Sequence, residues 1–139
     1  MPQSEQFDAL VLGSGTGGKL VAWHMARLGR RTAVVERRWV GGACPNVACM
    51  PSKNEIASAK VAHLARHGGE RGAVTGPVTV DMATVRRRKR EMVDRQIAQH
   101  LQMYRQSGAE LIILETAVDA EAIEIVEMRP TAPHSLNLA

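Results

Sequence analysis

Apolar positions along this chain follow two different periods, and the switches between them mark the elements. Residues 7 to 13, FDALVLG, are a short apolar run closing on glycine, which fits a buried parallel strand. Residues 15 to 29, GTGGKLVAWHMARLG, change to helical spacing, with Leu20, Val21, His24, Met25 and Leu28 as the apolar stripe and Gly29 as the stop. RTAVVE, 31 to 36, reads as a second strand, so the opening third is a strand–helix–strand unit with parallel strands and a right-handed connection. A helix of good helix formers is expected over residues 44 to 67, stopping at Gly68-Gly69. After the connector and AVTGPVTV at 73 to 80, Asp81 is placed to N-cap a long helix over 81 to 106. Its stripe is Met82, Val85, Met92, Val93, Ile97, Leu101 and Tyr104, and Ser107-Gly108 ends it. AELIILETAV, 109 to 118, reads as a third strand and AIEIVEM, 122 to 128, as a fourth. The pattern predicts an α/β fold on a parallel sheet spanning residues 1 to 128, with an irregular tail over 129 to 139 and no internal repeat.

Composition narrows this picture. At 139 residues the chain suits one domain, and 45% hydrophobic against 23% charged residues is a globular balance. Aromatic residues are only 3%, so the core must come mostly from Val, Ile, Leu, Met and Ala. The N-terminus, MPQSEQ, lacks a basic-then-apolar signal pattern, and no apolar run approaches the ~20 residues that span a bilayer. A soluble, cytoplasmic protein with no membrane partner is expected. In that compartment a lone cysteine pair points to redox or metal chemistry before a structural staple.

The net charge of +4 owes much to RRRKR at 86 to 90. Such a run invites a nucleic-acid reading. It lies on a helix that also carries Glu91 and Asp94, with no aromatic stacking partners beside it, so a solvated helix face and no nucleic-acid partner are expected.

GSGTGG, residues 13 to 18, sets Gly13, Gly15 and Gly18 in the G-x-G-x-x-G pattern. Gly13 permits a tight turn out of the strand, Gly15 lets backbone approach a pyrophosphate, and Gly18 lets the helix pack close to the sheet. The helix N-terminus offers unpaired N–H groups and a positive dipole end to the anion. Alone the pattern is weak. Here it follows a strand, opens a helix, and has Glu36 at the tip of the next strand, placed for ribose hydroxyls. A dinucleotide site follows, with FAD and NAD(P) both open.

GGACPNVACMPSKN, residues 41 to 54, holds both cysteines of the chain. Five positions apart in a regular helix, Cys44 and Cys49 would be separated by about 7.5 Å of rise, too far for a disulfide. Pro45 pushes Cys44 toward extended geometry, so Cys44 is expected just before a helix that contains Cys49, with Pro51 kinking it or starting a fresh segment. Two sulfurs at a helix start near Lys53 gain thiolate character, which suits a dithiol–disulfide pair. Zinc is the rival, with His63 and His67 as a second ligand pair. The ordinary alternative is that these histidines are polar positions on a half-exposed helix, and no metal ligand is assigned.

Taken together, the two motifs resemble the class I FAD-dependent pyridine nucleotide-disulfide oxidoreductases, which include mercuric reductase, dihydrolipoamide dehydrogenase and glutathione reductase. The family's G-G-x-C-x-N-x-G-C-x-P-S-K is matched by Gly41, Gly42, Cys44, Asn46, Cys49, Pro51, Ser52 and Lys53. The resemblance implies a Rossmann-like FAD-binding domain, with FAD held by Gly13, Ser14, Gly15, Thr16, Gly17, Gly18, Glu36, Arg37, Gly42, Ala43, Cys44 and Lys53. It implies a Cys44–Cys49 disulfide, with Cys44 as the interchange thiol, Cys49 facing the flavin, and Lys53 near the flavin ring. Electrons would run from NAD(P)H through FAD to the disulfide and on to a small-molecule disulfide, dithiol or metal-ion substrate. Two residues depart from the pattern: Ala48 stands where the family has glycine, and Pro45 where it has an aliphatic residue. The stretch is most similar to the mercuric-reductase or dihydrolipoamide-dehydrogenase branch, without the C-terminal cysteine pair of a true mercuric reductase.

Length is the larger departure. The family is homodimeric and carries further NAD(P)H-binding and dimerisation domains, the last with a His-Glu acid–base pair. Leu114 and Thr116 also stand where the family often has glycines. The expectation is an incomplete domain, the N-terminal piece of a larger reductase, with a frameshift or stop near residue 128 and no activity on its own.

Overall fold

The computed structural model describes residues 5 to 113. The fourth strand, the positions Leu114 and Thr116, and the tail over 129 to 139 lie outside the described residues. Three parallel strands form one sheet in the order β1-β2-β3: β1 is Ala9–Leu12, β2 Thr32–Glu36 and β3 Glu110–Ile113. Leu10 pairs with Ala33 and Val34 with Leu111, which puts β2 between its neighbours and leaves all five of its residues buried. A central strand flanked on both sides reads as an unbroken β-branched run for this reason. β1 departs from its expected full burial: it alternates, with Ala9 and Val11 half-buried and Leu10 and Leu12 exposed. Among the described residues it is paired on one side only, and Val11 alone of its leucines and valines packs on the core.

Helix α1, Thr16–Arg27, connects β1 to β2. Its buried face is Ala22 and Trp23, with Ala26 packed beside them, whereas Leu20, Val21 and Leu28 of the expected stripe are each more than half exposed. The correction has a steric cause. A Cβ on Gly18 would run into the Gly13 carbonyl oxygen, so the helix is seated on the sheet through its glycine. Residues one turn apart on that side, Gly18, Ala22 and Ala26, are small enough to allow the approach. Trp23 fills the gap toward α4.

The long helix α4, Met82–Ser107, forms as its sequence predicts. The Asp81 carboxylate accepts hydrogen bonds from Ala83 N at 2.9 Å and Thr84 N at 3.2 Å, and Gly108 takes the left-handed C-cap at φ +78°. Val85, Met92, Val93, Ile97 and Leu101 are half-buried and Tyr104 is buried, while Met82 stays exposed at the first turn. The core gathers Ala22, Trp23, Val34, Val40, Tyr104 and Ala109. The basic run on α4 is more than a solvated face: Arg88 donates to the Asn54 carbonyl and the Ser58 hydroxyl, and Lys89 pairs with Glu55. These bonds clip α4 to helix α3, Cys49–Arg66.

Candidate functional site

The glycine loop leaves β1 through Gly13 at φ +91° and enters α1 at Thr16. No side chain caps this helix start, so its first N–H groups point outward unclaimed by the chain. A Cβ on Gly15 or Gly17 would meet nothing within 4 Å, which leaves open space over the loop. Thr16 and Gly17 are exposed.

Ser14 is buried and binds the loop to the next strand. Its N–H and its hydroxyl both donate to Glu36 Oε2, at 2.9 and 2.6 Å, while its oxygen accepts from Gly41 N at 2.9 Å. Glu36 Oε1 accepts from Arg38 N at 2.8 Å and Trp39 N at 3.1 Å. Burial pushes the Glu36 carboxyl up, but these donors outweigh it and hold the pKa below the ordinary value. A carboxylate offers about four acceptor sites, and Glu36 fills them from its own loop. Ribose hydroxyls could reach it only in exchange for one of these donors. Arg37 beside it is exposed.

The cysteine turn is built differently from its sequence expectation. Cys44 lies inside a one-turn helix, α2, Ala43–Asn46, and Cys49 is the first residue of α3. The break falls at Val47 and Ala48 rather than before Pro45. Pro51 sits in the first turn of α3, where a missing N–H costs nothing, and the helix runs on unbroken to Arg66. Asn46 explains the geometry: its Nδ2 donates to Val40 O at 3.0 Å and Gly42 O at 2.7 Å, tying α2 back onto the turn that precedes it. Ala48 has φ −121°, outside the left-handed region, so the backbone there does not demand glycine.

Both cysteines are free thiols, Cys44 half-buried and Cys49 exposed, with Cys44 hydrogen-bonded to Cys49. That bond, then desolvation and the charge of Cys49, raise the Cys44 pKa, and Lys53 pulls it back down. The His63 and His67 rings lie against each other, tilted by 32° with centroids 4.3 Å apart, near the far end of α3. Fourteen residues of helix, about 21 Å, separate His63 from Cys49, so the zinc reading loses its second ligand pair. Among the described residues no group of three or more His, Cys, Asp or Glu is placed to hold a metal ion. No described helix is long and apolar enough to cross a membrane.

The two motifs meet backbone to backbone. Gly41 and Gly42 have φ +90° and +83°, and a Cβ on Gly42 would lie 2.7 Å from Gly15 Cα. Sequence reasoning singled out both loops, and placed Tyr104 on the α4 stripe, but missed Lys19, Trp23 and His100 behind them. Trp23, His100 and Tyr104 are buried together, and Lys19 Nζ lies 2.6 Å from His100 Nε2. A signal existed: Ile97, His100 and Tyr104 recur at helical spacing on the buried stripe of α4.

Comparison with known proteins adds lineage to this geometry. A family model described as pyridine nucleotide-disulphide oxidoreductase matches residues 7 to 127. Dihydrolipoyl dehydrogenase of Corynebacterium glutamicum is 34% identical over 125 residues, 89% of this chain and 27% of that protein. The Bacillus subtilis dihydrolipoyl dehydrogenase is 40% identical over 90 residues, 65% of this chain and 19% of that protein. The chain thus spans a fifth to about a quarter of the length of these relatives. The HOCl-induced flavoprotein disulfide reductase RclA of Escherichia coli, solved as its Cu(II) complex, superposes with a TM-score of 0.60 at 23% identity. That match covers 79% of this chain and 22% of the other, and it speaks to the fold.

Proposed function

The chain belongs to the pyridine nucleotide-disulphide oxidoreductase family, and on that premise we propose that it is the part of a disulfide oxidoreductase that binds FAD and carries the Cys44–Cys49 redox pair. Electrons would pass from NAD(P)H through FAD to the pair and on to a small-molecule disulfide, dithiol or metal-ion substrate. The observation that carries this reading is the direct contact of Gly42 with Gly15, which leaves no room for a side chain between the anion-binding loop and the thiols. One extended ligand can then touch both.

The residues fit such a ligand. The uncapped N–H groups at the start of α1 and the open space over Gly15 and Gly17 suit a pyrophosphate, with Gly13, Ser14, Thr16 and Gly18 shaping the loop. Gly42 and Ala43 approach it from the other side, and Glu36 and Arg37 lie at the ribose end. When bound, FAD supplies a two-electron carrier between nicotinamide and disulfide. Cys49, exposed at the start of α3 near Lys53, is assigned to the flavin side, and Cys44 to exchange with substrate. A Cys44 that keeps its proton beside Cys49 supports this division.

Absorbance spectroscopy tests the reading. The purified chain, with added FAD if needed, is expected to show a flavin spectrum and a long-wavelength band after dithiothreitol. Cys49→Ser should abolish that band and Cys44→Ser should retain it. A protein that stays colourless with added FAD would overturn the reading, and the opposite mutant pattern would exchange the two cysteine roles.

A further inference from the structure

The C-terminal end of α3 carries a histidine pair that neither motif uses. His63 and His67 stand four residues apart, so they share one helix face. Their ring centroids lie 4.3 Å apart, with the planes tilted by 32°. Two imidazoles bound to one ion at about 2.1 Å per nitrogen have centroids about 4.5 to 5 Å apart, so a small rotation of either ring reaches that geometry. Both side chains are exposed, which leaves an ion free to enter from solvent.

One ring is already set for this task. His67 Nδ1 lies 2.9 Å from the His63 carbonyl oxygen. A carbonyl only accepts, so Nδ1 carries the hydrogen and Nε2 of the neutral ring keeps its lone pair. Histidines that ligate metals are held in this way, because a hydrogen bond from the second nitrogen fixes the tautomer and the ring orientation. The backbone beneath is pinned as well. The His67 N–H donates to the same carbonyl at 3.1 Å, and the Thr75 hydroxyl donates to Ala65 O at 2.6 Å. A Cβ on Gly68 would lie 2.7 Å from Ala73 O, so the chain turns back tightly after the pair. A helix C-terminus favours a cation through its carbonyl oxygens and negative dipole end. Arg66, which lines the same groove as both rings, works against the added charge, and Glu70 follows on the next turn with the opposite sign.

We propose that His63 and His67 together form a surface site for a divalent transition-metal ion such as Ni²⁺ or Zn²⁺, held by one nitrogen of each ring with the remaining positions open to water. Neutral imidazole suits these ions, whereas Mg²⁺ and Ca²⁺ take oxygen ligands. The site needs neither cysteine, since Cys49 lies about 21 Å back along the helix, and it needs no flavin. Two metal–nitrogen bonds replace two metal–water bonds, and no electron moves.

The test uses the full chain carrying Cys44→Ser and Cys49→Ser, so that no thiolate competes for the ion. Ni²⁺ is titrated by calorimetry, with Mg²⁺ as the comparison and circular dichroism on every variant. His24, His100 and His134 remain throughout, so their contribution cancels between variants. Binding of Ni²⁺ and none of Mg²⁺ is expected. His63→Ala and His67→Ala should each weaken Ni²⁺ binding about tenfold or more, because the second bond of a chelate forms at high effective concentration. Lys60→His combined with His63→Ala keeps the number of histidines but sets the pair two turns, about 10.5 Å, apart. It should bind no better than His63→Ala alone. A parent that does not bind Ni²⁺, single variants as tight as the parent, or full affinity in the respaced variant would overturn the proposal. If His67→Ala loses the parent's circular dichroism, His67→Gln decides, since its amide can still donate to the His63 carbonyl. Unchanged affinity there overturns the site. Failure of FAD binding would sink the proposed function and leave this site intact, so the two readings fail separately.

Discussion

At the tip of the central strand the Glu36 carboxylate accepts from Ser14 N, Ser14 Oγ, Arg38 N and Trp39 N, and so ties the glycine loop to the turn that leads to the cysteines. Its depressed pKa makes folding linked to acid. The folded state resists protonation, so this stability is fully present above the unfolded value of about 4.3 and is lost as pH falls through the folded pKa. His100, depressed by burial and by Lys19, adds a second window: stability declines as pH drops below about 6.5, where the unfolded histidine takes its proton first. Urea titrations from pH 8 to 3 should show both declines, and His100→Asn should remove the upper one. Glu36→Gln places an amide donor among four donors and should cost about 1.5–3 kcal/mol at pH 7. A midpoint unmoved by Glu36→Gln would show that the loop does not depend on the carboxylate.

At the scale of elements, α1 carries the clearest disagreement between pattern and packing. Its largest aliphatic residues face outward, and its small face lies on the sheet because Gly18 sits against the Gly13 carbonyl. Gly18→Ala should therefore cost about 1–3 kcal/mol by overpacking, read as a fall in thermal midpoint, although alanine is the better helix former. Leu20→Ala on the exposed side should change the midpoint little. α4 shows the opposite case, in which local chemistry alone marks the start. Removing the Asp81 cap as Asp81→Ala should cost about 1 kcal/mol, measured by the same melt. Basic residues 88 and 89 are spent on α3, which gives part of the charged run a packing role.

At the scale of the molecule, the described residues leave much apolar surface open. Leu12, Leu28, Ile56, Val61 and Leu64 are each at least half exposed, and the buried core is small and rich in alanine and valine. With so little area removed from water, the 139-residue chain on its own should melt early and broadly and bind a hydrophobic dye such as ANS. A sharp, high-temperature transition of a monomer without dye binding would contradict this. Saturating FAD should raise the midpoint, since a ligand held by the folded state alone stabilises it by mass action.

Much of this protein was legible in its sequence by itself, because the relevant constraints are local. Gly13 and Gly15 mark the loop, and Asp81 and Gly108 the ends of α4; spacing and residue type suffice for each. The Cys44 to Lys53 motif carries the family by residue type and spacing alone. The tertiary structure decided what depends on neighbours distant in the chain. It turned the small face of α1 to the sheet, since the Gly13–Gly18 contact outweighs hydrophobic preference. It engaged Glu36 with Ser14 rather than leaving it open, and moved the helix break from Pro45 to Val47-Ala48, since Asn46 is tied to Val40 and Gly42. It also brought Lys19 to His100, a pair 81 residues apart that meets only where α1 crosses α4.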